Sequence, residues 1–89
     1  MKSVIYKYPI TDMVQSIPVG DVVLVAQQGD STLPTLWVRH SQDTILAGDY
    51  ANKDTYTIVG TGNSFDNDGF AHVGSCVCGD FVWHVYRMP

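Results

Sequence analysis

Glutamate is missing from this 89-residue chain. All nine acidic residues are aspartates, at positions 12, 21, 30, 43, 49, 54, 66, 68 and 80. Glutamate sustains helices, whereas aspartate favours caps and turns. Alanine, the best helix former, stands only at 26, 47, 51 and 71. Long helices are therefore not expected. Cations are also scarce: Lys2, Lys7, Arg39, Lys53 and Arg87 face nine acids, for a net charge of −4. A nucleic-acid binder needs a basic stripe, so direct nucleic-acid binding is not expected. No apolar run reaches the roughly 18 residues of a membrane-spanning helix, and no membrane partner is expected. Met1–Tyr8 is too short and too polar to hold a signal-peptide core, which points to an intracellular protein. Two cysteines, Cys76 and Cys78, cannot make a disulfide framework. On a strand their Cα atoms would stand about 6.5 Å apart, near the upper limit for bridging each other.

What the chain does have is strand signals at short spacing. Ser3–Tyr8 alternates Val4, Tyr6 and Tyr8 against Ser3, Ile5 and Lys7, and stops at Pro9. Val22–Gln28 opens as a continuous apolar run, the pattern of a strand buried on both faces. Turn chemistry bounds it at Pro18–Asp21 and Gly29-Asp30. Thr35–Arg39 follows and reads as its hairpin partner across Gly29–Pro34. Residues 41–52 read as a loop or one helical turn, with Ser41 as a possible cap. Thr55–Val59 is a fourth strand, rich in β-branched and aromatic residues. A loop dense in Gly, Asn and Asp spans Gly60–Gly69. Phe70–Val77 and Phe81–Arg87 are the fifth and sixth strands, joined by a turn at Gly79-Asp80. In the last strand Phe81, Trp83 and Val85 face one way and Val82, His84 and Tyr86 the other. Both sets are bulky, so this strand should be central or carry an interface. The expectation is one all-β domain over residues 1–89: a small antiparallel sandwich or barrel of about six strands, with at most one short helical turn.

Several groups of residues invite a chemical reading. His72, Cys76, Cys78 and His84 are an allowed zinc set. The Cys-x-Cys spacing is poor for zinc, and two small buried hydrophobes are the preferred account of the cysteines. Asp66-Asn67-Asp68-Gly69 looks like the start of a calcium loop but lacks the closing glutamate, so a plain turn is preferred. Gly60-Thr61-Gly62 leaves a strand as a phosphate loop does, without the helix or lysine that such a loop needs. Its backbone N–H groups could still cradle an anion. Cys76, His84 and Asp80 supply catalytic residue types without a nucleophile motif. No catalytic residue, metal or cofactor is assigned, and His84 reads as a core histidine. Ten aromatics, Tyr6, Tyr8, Trp37, Tyr50, Tyr56, Phe65, Phe70, Phe81, Trp83 and Tyr86, exceed what so small a core hides. A cluster of them should lie in an interface.

Taken in order, these stretches form a pattern: Ile5–Tyr8, Gln15–Gly20, Val25–Asp30, Leu36–Val38, Val59–Gly62, Val73–Ser75 and Val82–Tyr86. Together they resemble a family of short, uncharacterised proteins from tailed bacteriophages, a domain of unknown function. The resemblance covers nearly the whole chain. It implies a phage-encoded protein in the host cytoplasm and no particular activity. His84 matches a histidine in the family's apolar last strand. Cys76 and Cys78 stand where the family carries ordinary residues, and residues 40–54 depart from it most.

Two functional expectations follow. The first is a non-enzymatic inhibitor of a host protein, such as a component of an antiviral defence system. Its acidic charge would suit a surface that normally meets nucleic acid. Asp66, Asp68, Asp80, Trp83 and Tyr86 would make the contacts. The alternative is a sponge for a nucleotide signal, acting as a homo-oligomer. Gly60, Thr61 and Gly62 would then give backbone donors, Arg39 (or Arg87) a phosphate partner and Trp37 (or Trp83) a stacking surface.

Overall fold

The computed structural model describes residues 2–46, 48 and 52–89. Seven strands follow one another: β1 (Ser3–Pro9), β2 (Val14–Pro18), β3 (Asp21–Ala26), β4 (Thr35–Ser41), β5 (Lys53–Gly60), β6 (Ala71–Cys78) and β7 (Phe81–Arg87). One five-residue helix, α1 (Gln42–Leu46), lies between β4 and β5. The strands form two antiparallel sheets, ordered β1-β4-β3 and β2-β5-β7-β6. The expected all-β architecture stands, with one strand more than the pattern revealed. The stretch expected as a loop or a helical turn holds α1; residues 47 and 49–51, Tyr50 among them, lie outside the described residues. Among the described residues no helix is long and apolar enough to cross a membrane.

The added strand is β2. Gln15, Ser16 and Pro18 give it no apolar run, yet it pairs with β5 and buries Ile17 completely. As an edge strand it tolerates Pro18, which has no N–H to donate to a second neighbour. The apolar run of β3 is a correction in the other direction. It too is an edge strand, with a bulge between Val22 and Leu24, and Val23 and Leu24 stay 46% and 49% exposed. A three-stranded sheet has one face on the core and one in water, so a continuous apolar run there is not evidence of two-sided burial. The bulge adds local twist, which discourages edge-to-edge pairing.

The sheets meet over Ile10, Ile17, Leu36, Val38, Tyr56, Ile58 and Val85. Leu36 and Val38 alternate along β4 with Trp37 and Arg39, which face outward; Arg39 pairs there with Asp21 at 3.0 Å. A buried histidine ties β4 to the neighbouring strands. His40 Nδ1–H donates to the Val19 carbonyl at 2.8 Å, which leaves Nε2 to accept from the Tyr8 hydroxyl at 2.8 Å. Gly20 sits against this clamp: a Cβ there would stand 2.6 Å from the Arg39 carbonyl oxygen and 2.8 Å from His40 Nδ1. Across the sandwich, a Cβ on Gly74 of β6 would meet Val25 of β3 at 2.5 Å, so the two edge strands pack with no room to spare.

Candidate functional site

Strand β7 is central in its sheet, between β5 and β6, as its two bulky faces require. It joins β6 through Gly79 and Asp80, with Cys78 opposite Phe81. Gly79 takes the left-handed φ of 60° at the first central position of the turn, where a type II′ hairpin wants glycine. From there the register runs Val77–Val82, Cys76–Trp83, Ser75–His84 and Gly74–Val85. A bulge at Val73 then sets His72 opposite Tyr86. Without that bulge, residues 72 and 75 would point to opposite faces of the strand. With it, both stand on the outer face beside His84.

A line of four hydrogen-bonded side chains results. His72 Nε2 lies 2.9 Å from Ser75 Oγ, Ser75 Oγ lies 2.8 Å from His84 Nδ1, and His84 Nε2 lies 2.8 Å from Thr61 Oγ1. Thr61 Oγ1 also reaches the Val82 carbonyl at 3.5 Å. A carbonyl only accepts, so the direction that satisfies every contact starts at His72. Its Nε2–H donates to Ser75, the Ser75 hydroxyl to His84 Nδ1, His84 Nε2–H to Thr61, and the Thr61 hydroxyl to Val82. His84 is thus half-buried with two side-chain partners, and the expectation of a core histidine is corrected. Aromatic rings flank the line on one side: Phe65 lies 4.8 Å from Tyr86, and Tyr86 lies 5.2 Å from His72. Val77 and Val82, both exposed, flank it on the other.

The second feature is a groove of about 460 Å³ at the start of β7, walled by Gly60, Thr61, Asn63, Asp80, Phe81 and Trp83. Thr61 N–H donates to the Val82 carbonyl and Asn63 N–H to the Gly60 carbonyl, which fixes the loop as one wall. Trp83 Nε1–H donates to the Thr32 carbonyl at 2.8 Å, so its indole cannot swing away. The Phe81 ring stacks on it, centroids 5.8 Å apart and planes 20° apart, and stays 54% exposed. On its other side Phe81 walls a smaller hollow of about 170 Å³, which also presents Asp30 and Asp80. No lysine or arginine lines either concavity.

The residues singled out from the sequence divide between these places. Asp80 and Trp83 share the groove. Tyr86 faces the opposite side of the sheet against Phe65, and Asp66 and Asp68 lie in the exposed loop beyond it, where Asp66 Oδ1 accepts from the Asp68 N–H. The run from Asp80 to Tyr86 spans roughly 20 Å of strand, so these five residues form two patches. Gly60 and Thr61 wall the groove, and Gly62 turns the loop beside them with a φ of 92°. Arg39 and Trp37 sit on the other sheet, and Arg87 lies at the far end of β7, so no arginine reaches these glycines.

The cysteines share a face with the core, whereas His72 and His84 point outward, so the four possible zinc ligands do not converge. Among the described residues no three metal-ligating side chains cluster. The two thiols lie 3.5 Å apart. Burial, then the hydrogen bond and charge coupling to Cys78, push the Cys76 thiol up to about 11, which keeps it protonated and poorly nucleophilic at neutral pH. Of the nine described aromatics only Tyr56 is fully buried. Ser75 and His40 escaped the sequence reading. A glycine inside a strand next to a His-x-x-Ser spacing was the available signal for the former, since strand glycines often mark bulges.

A family profile described as a domain of unknown function, DUF7352, matches residues 1–89. No curated protein and no solved structure matches the chain.

Proposed function

The chain belongs to the DUF7352 family, which assigns no activity, and we propose that it is a non-enzymatic module that docks on a basic surface of a partner protein. The observation that carries this reading is the exposed Phe81 ring, stacked on an anchored Trp83 and set between two hollows that present Asp80 and Asp30. An arginine or lysine of a partner would lie over the aromatic face and meet a carboxylate at its tip. Cation–π contacts contribute about 0.5–2 kcal/mol, more as water is excluded. The net charge of −4 favours the same class of partner and would speed its approach.

The partner we assign is a host protein, with an antiviral defence component as the target class. The chain then acts as a phage-encoded inhibitor in the host cytoplasm. The sequence resemblance to tailed-phage proteins supports that half of the proposal, and the acidic aromatic groove supports the other. The nucleotide-sponge alternative is not favoured by any contact, because its phosphate arginines lie away from Gly60–Gly62.

The test is a titration of the isotope-labelled chain with Nα-acetyl-arginine amide, following the Trp83 Nε1–H resonance. Binding should shift that resonance, and Phe81→Ala or Asp80→Asn should weaken the binding by roughly tenfold, the equivalent of about 1.4 kcal/mol. An equal response to Nα-acetyl-glutamine amide, or no change in either variant, refutes the reading. A host protein retained by the wild-type chain should also be lost by Phe81→Ala.

A further inference from the structure

The four-membered line on the outer face of β6 and β7 makes no use of the aromatic groove beyond sharing Thr61, and its geometry points to a second kind of ligand. We propose that His72 and His84 form a chelating site for a divalent late first-row transition ion, zinc or nickel, with Ser75 between them and Thr61 as the supporting residue. Two nitrogens on different strands, His72 Nε2 and His84 Nδ1, converge on one point, now held by the Ser75 hydroxyl at 2.9 and 2.8 Å. The Ser75 hydroxyl turns aside for an ion to bind, and the two rings close on the ion to the roughly 2.0–2.1 Å of a zinc–imidazole bond. Rotation about the side-chain torsions of an exposed histidine supplies such a movement.

The second observation is the state of the other nitrogen of His84. A metal-bound histidine characteristically donates its remaining N–H to a fixed acceptor, which sets the tautomer and aims the lone pair. Thr61 Oγ1 lies 2.8 Å from His84 Nε2, and its own proton is directed to the Val82 carbonyl. Nδ1 is therefore the lone-pair nitrogen of His84 before any ion arrives, whereas His72 must shift its Nε2 proton to Nδ1 in order to ligate. The His72 ring packs against Tyr86, centroids 5.2 Å apart and planes tilted by 60°, with its Nε2 toward Ser75. Water would fill the remaining coordination positions, giving an open site that a ligand or a partner's side chain could complete. Imidazole nitrogens suit zinc and nickel and suit calcium or magnesium poorly, which take oxygen. The bulge at Val73 is what makes the site, because it turns His72 to the same face as Ser75 and His84.

The experiment is titration of the full chain with zinc chloride and, separately, nickel chloride. Calorimetry gives stoichiometry, and imidazole ¹⁵N resonances identify the ligands. One ion per chain is expected, with the resonances of His72 and His84 shifted and those of the buried His40 unmoved. His72→Ala and His84→Ala should each abolish this binding. Thr61→Val, which removes only the acceptor behind His84, should weaken it by roughly tenfold. Ser75→Ala should retain it, because the hydroxyl only has to turn aside and is not itself a ligand. Binding that survives His84→Ala overturns the proposal, as do shifts at Cys76 and Cys78 in place of the histidines. The wild-type resonances decide the matter without any variant, so a misfolded mutant leaves no gap.

Discussion

Tyr56 should be better replaced by phenylalanine. The residue is 1% exposed in the middle of the core, and its hydroxyl has no hydrogen-bond partner among the described residues. An unpaired buried polar group costs about 1–3 kcal/mol in lost hydration. Removing the oxygen leaves a void on the order of 10 Å³, which costs about 0.2 kcal/mol at ~24 cal/mol per Å³. The net expectation is a gain of about 1 kcal/mol for Tyr56→Phe, or roughly 4–8 °C in Tm for a chain of this size. Urea and thermal melts at neutral pH measure it directly. The alkaline limb gives a second reading. Burial first, then the Asp54 carboxylate, raise the Tyr56 phenol above its usual value near 10. Its folded-state ionisation therefore lies above that of the unfolded chain. The associated stability is complete below about pH 10 and is lost as pH rises through the folded value. The phenylalanine variant lacks this loss, so its advantage should widen above pH 10. A variant less stable than the wild type at neutral pH would show that the hydroxyl has a partner and would refute the reasoning.

The close approaches predict two graded defects. Gly20→Ala pushes a methyl against the Arg39 carbonyl, a backbone atom that cannot rotate away, and should cost about 3 kcal/mol in chemical denaturation. Gly74→Ala meets the Val25 side chain, which can give in part, and should cost roughly 1–2 kcal/mol; an order reversed between the two would contradict the packing described. Cys76 and Cys78 should resist iodoacetamide at pH 8 in the folded chain and react at once in urea, because both are buried and the Cys76 thiol is pushed up to about 11. Labelling at the same rate in both states would show that the thiols are accessible.

How far the sequence leads is clearest at β7 and β2. Phe81–Arg87 announced a central strand, because bulky residues on both faces need neighbours on both sides. The Gly79-Asp80 turn gave the hairpin, but counting outward from it sets Val73 opposite Tyr86, and only the bulge brings His72 there. Val14–Pro18 announced nothing, because only Ile17 faces the core and pairing with β5 completes the strand. The surplus of aromatics on the surface was legible from number alone, since a core of this volume cannot hold ten. Which of them share a surface was not.

By itself, the sequence settled the classes. Aspartate without glutamate, little alanine, and turn residues between β-branched runs exclude long helices and lead to antiparallel sheets, because these are local preferences of single residues. Tertiary structure decided everything that depends on which strands lie side by side. One extra residue at Val73 reverses a face and assembles His72, Ser75, His84 and Thr61. Strand order carries Arg39 and Trp37 to one sheet and Gly60–Gly62 to the other. The Trp83–Thr32 hydrogen bond spans 51 residues and holds the groove's aromatic floor in place. Such contacts depend on registry between distant segments, and a side-chain period of two leaves that registry open until the sheets pack.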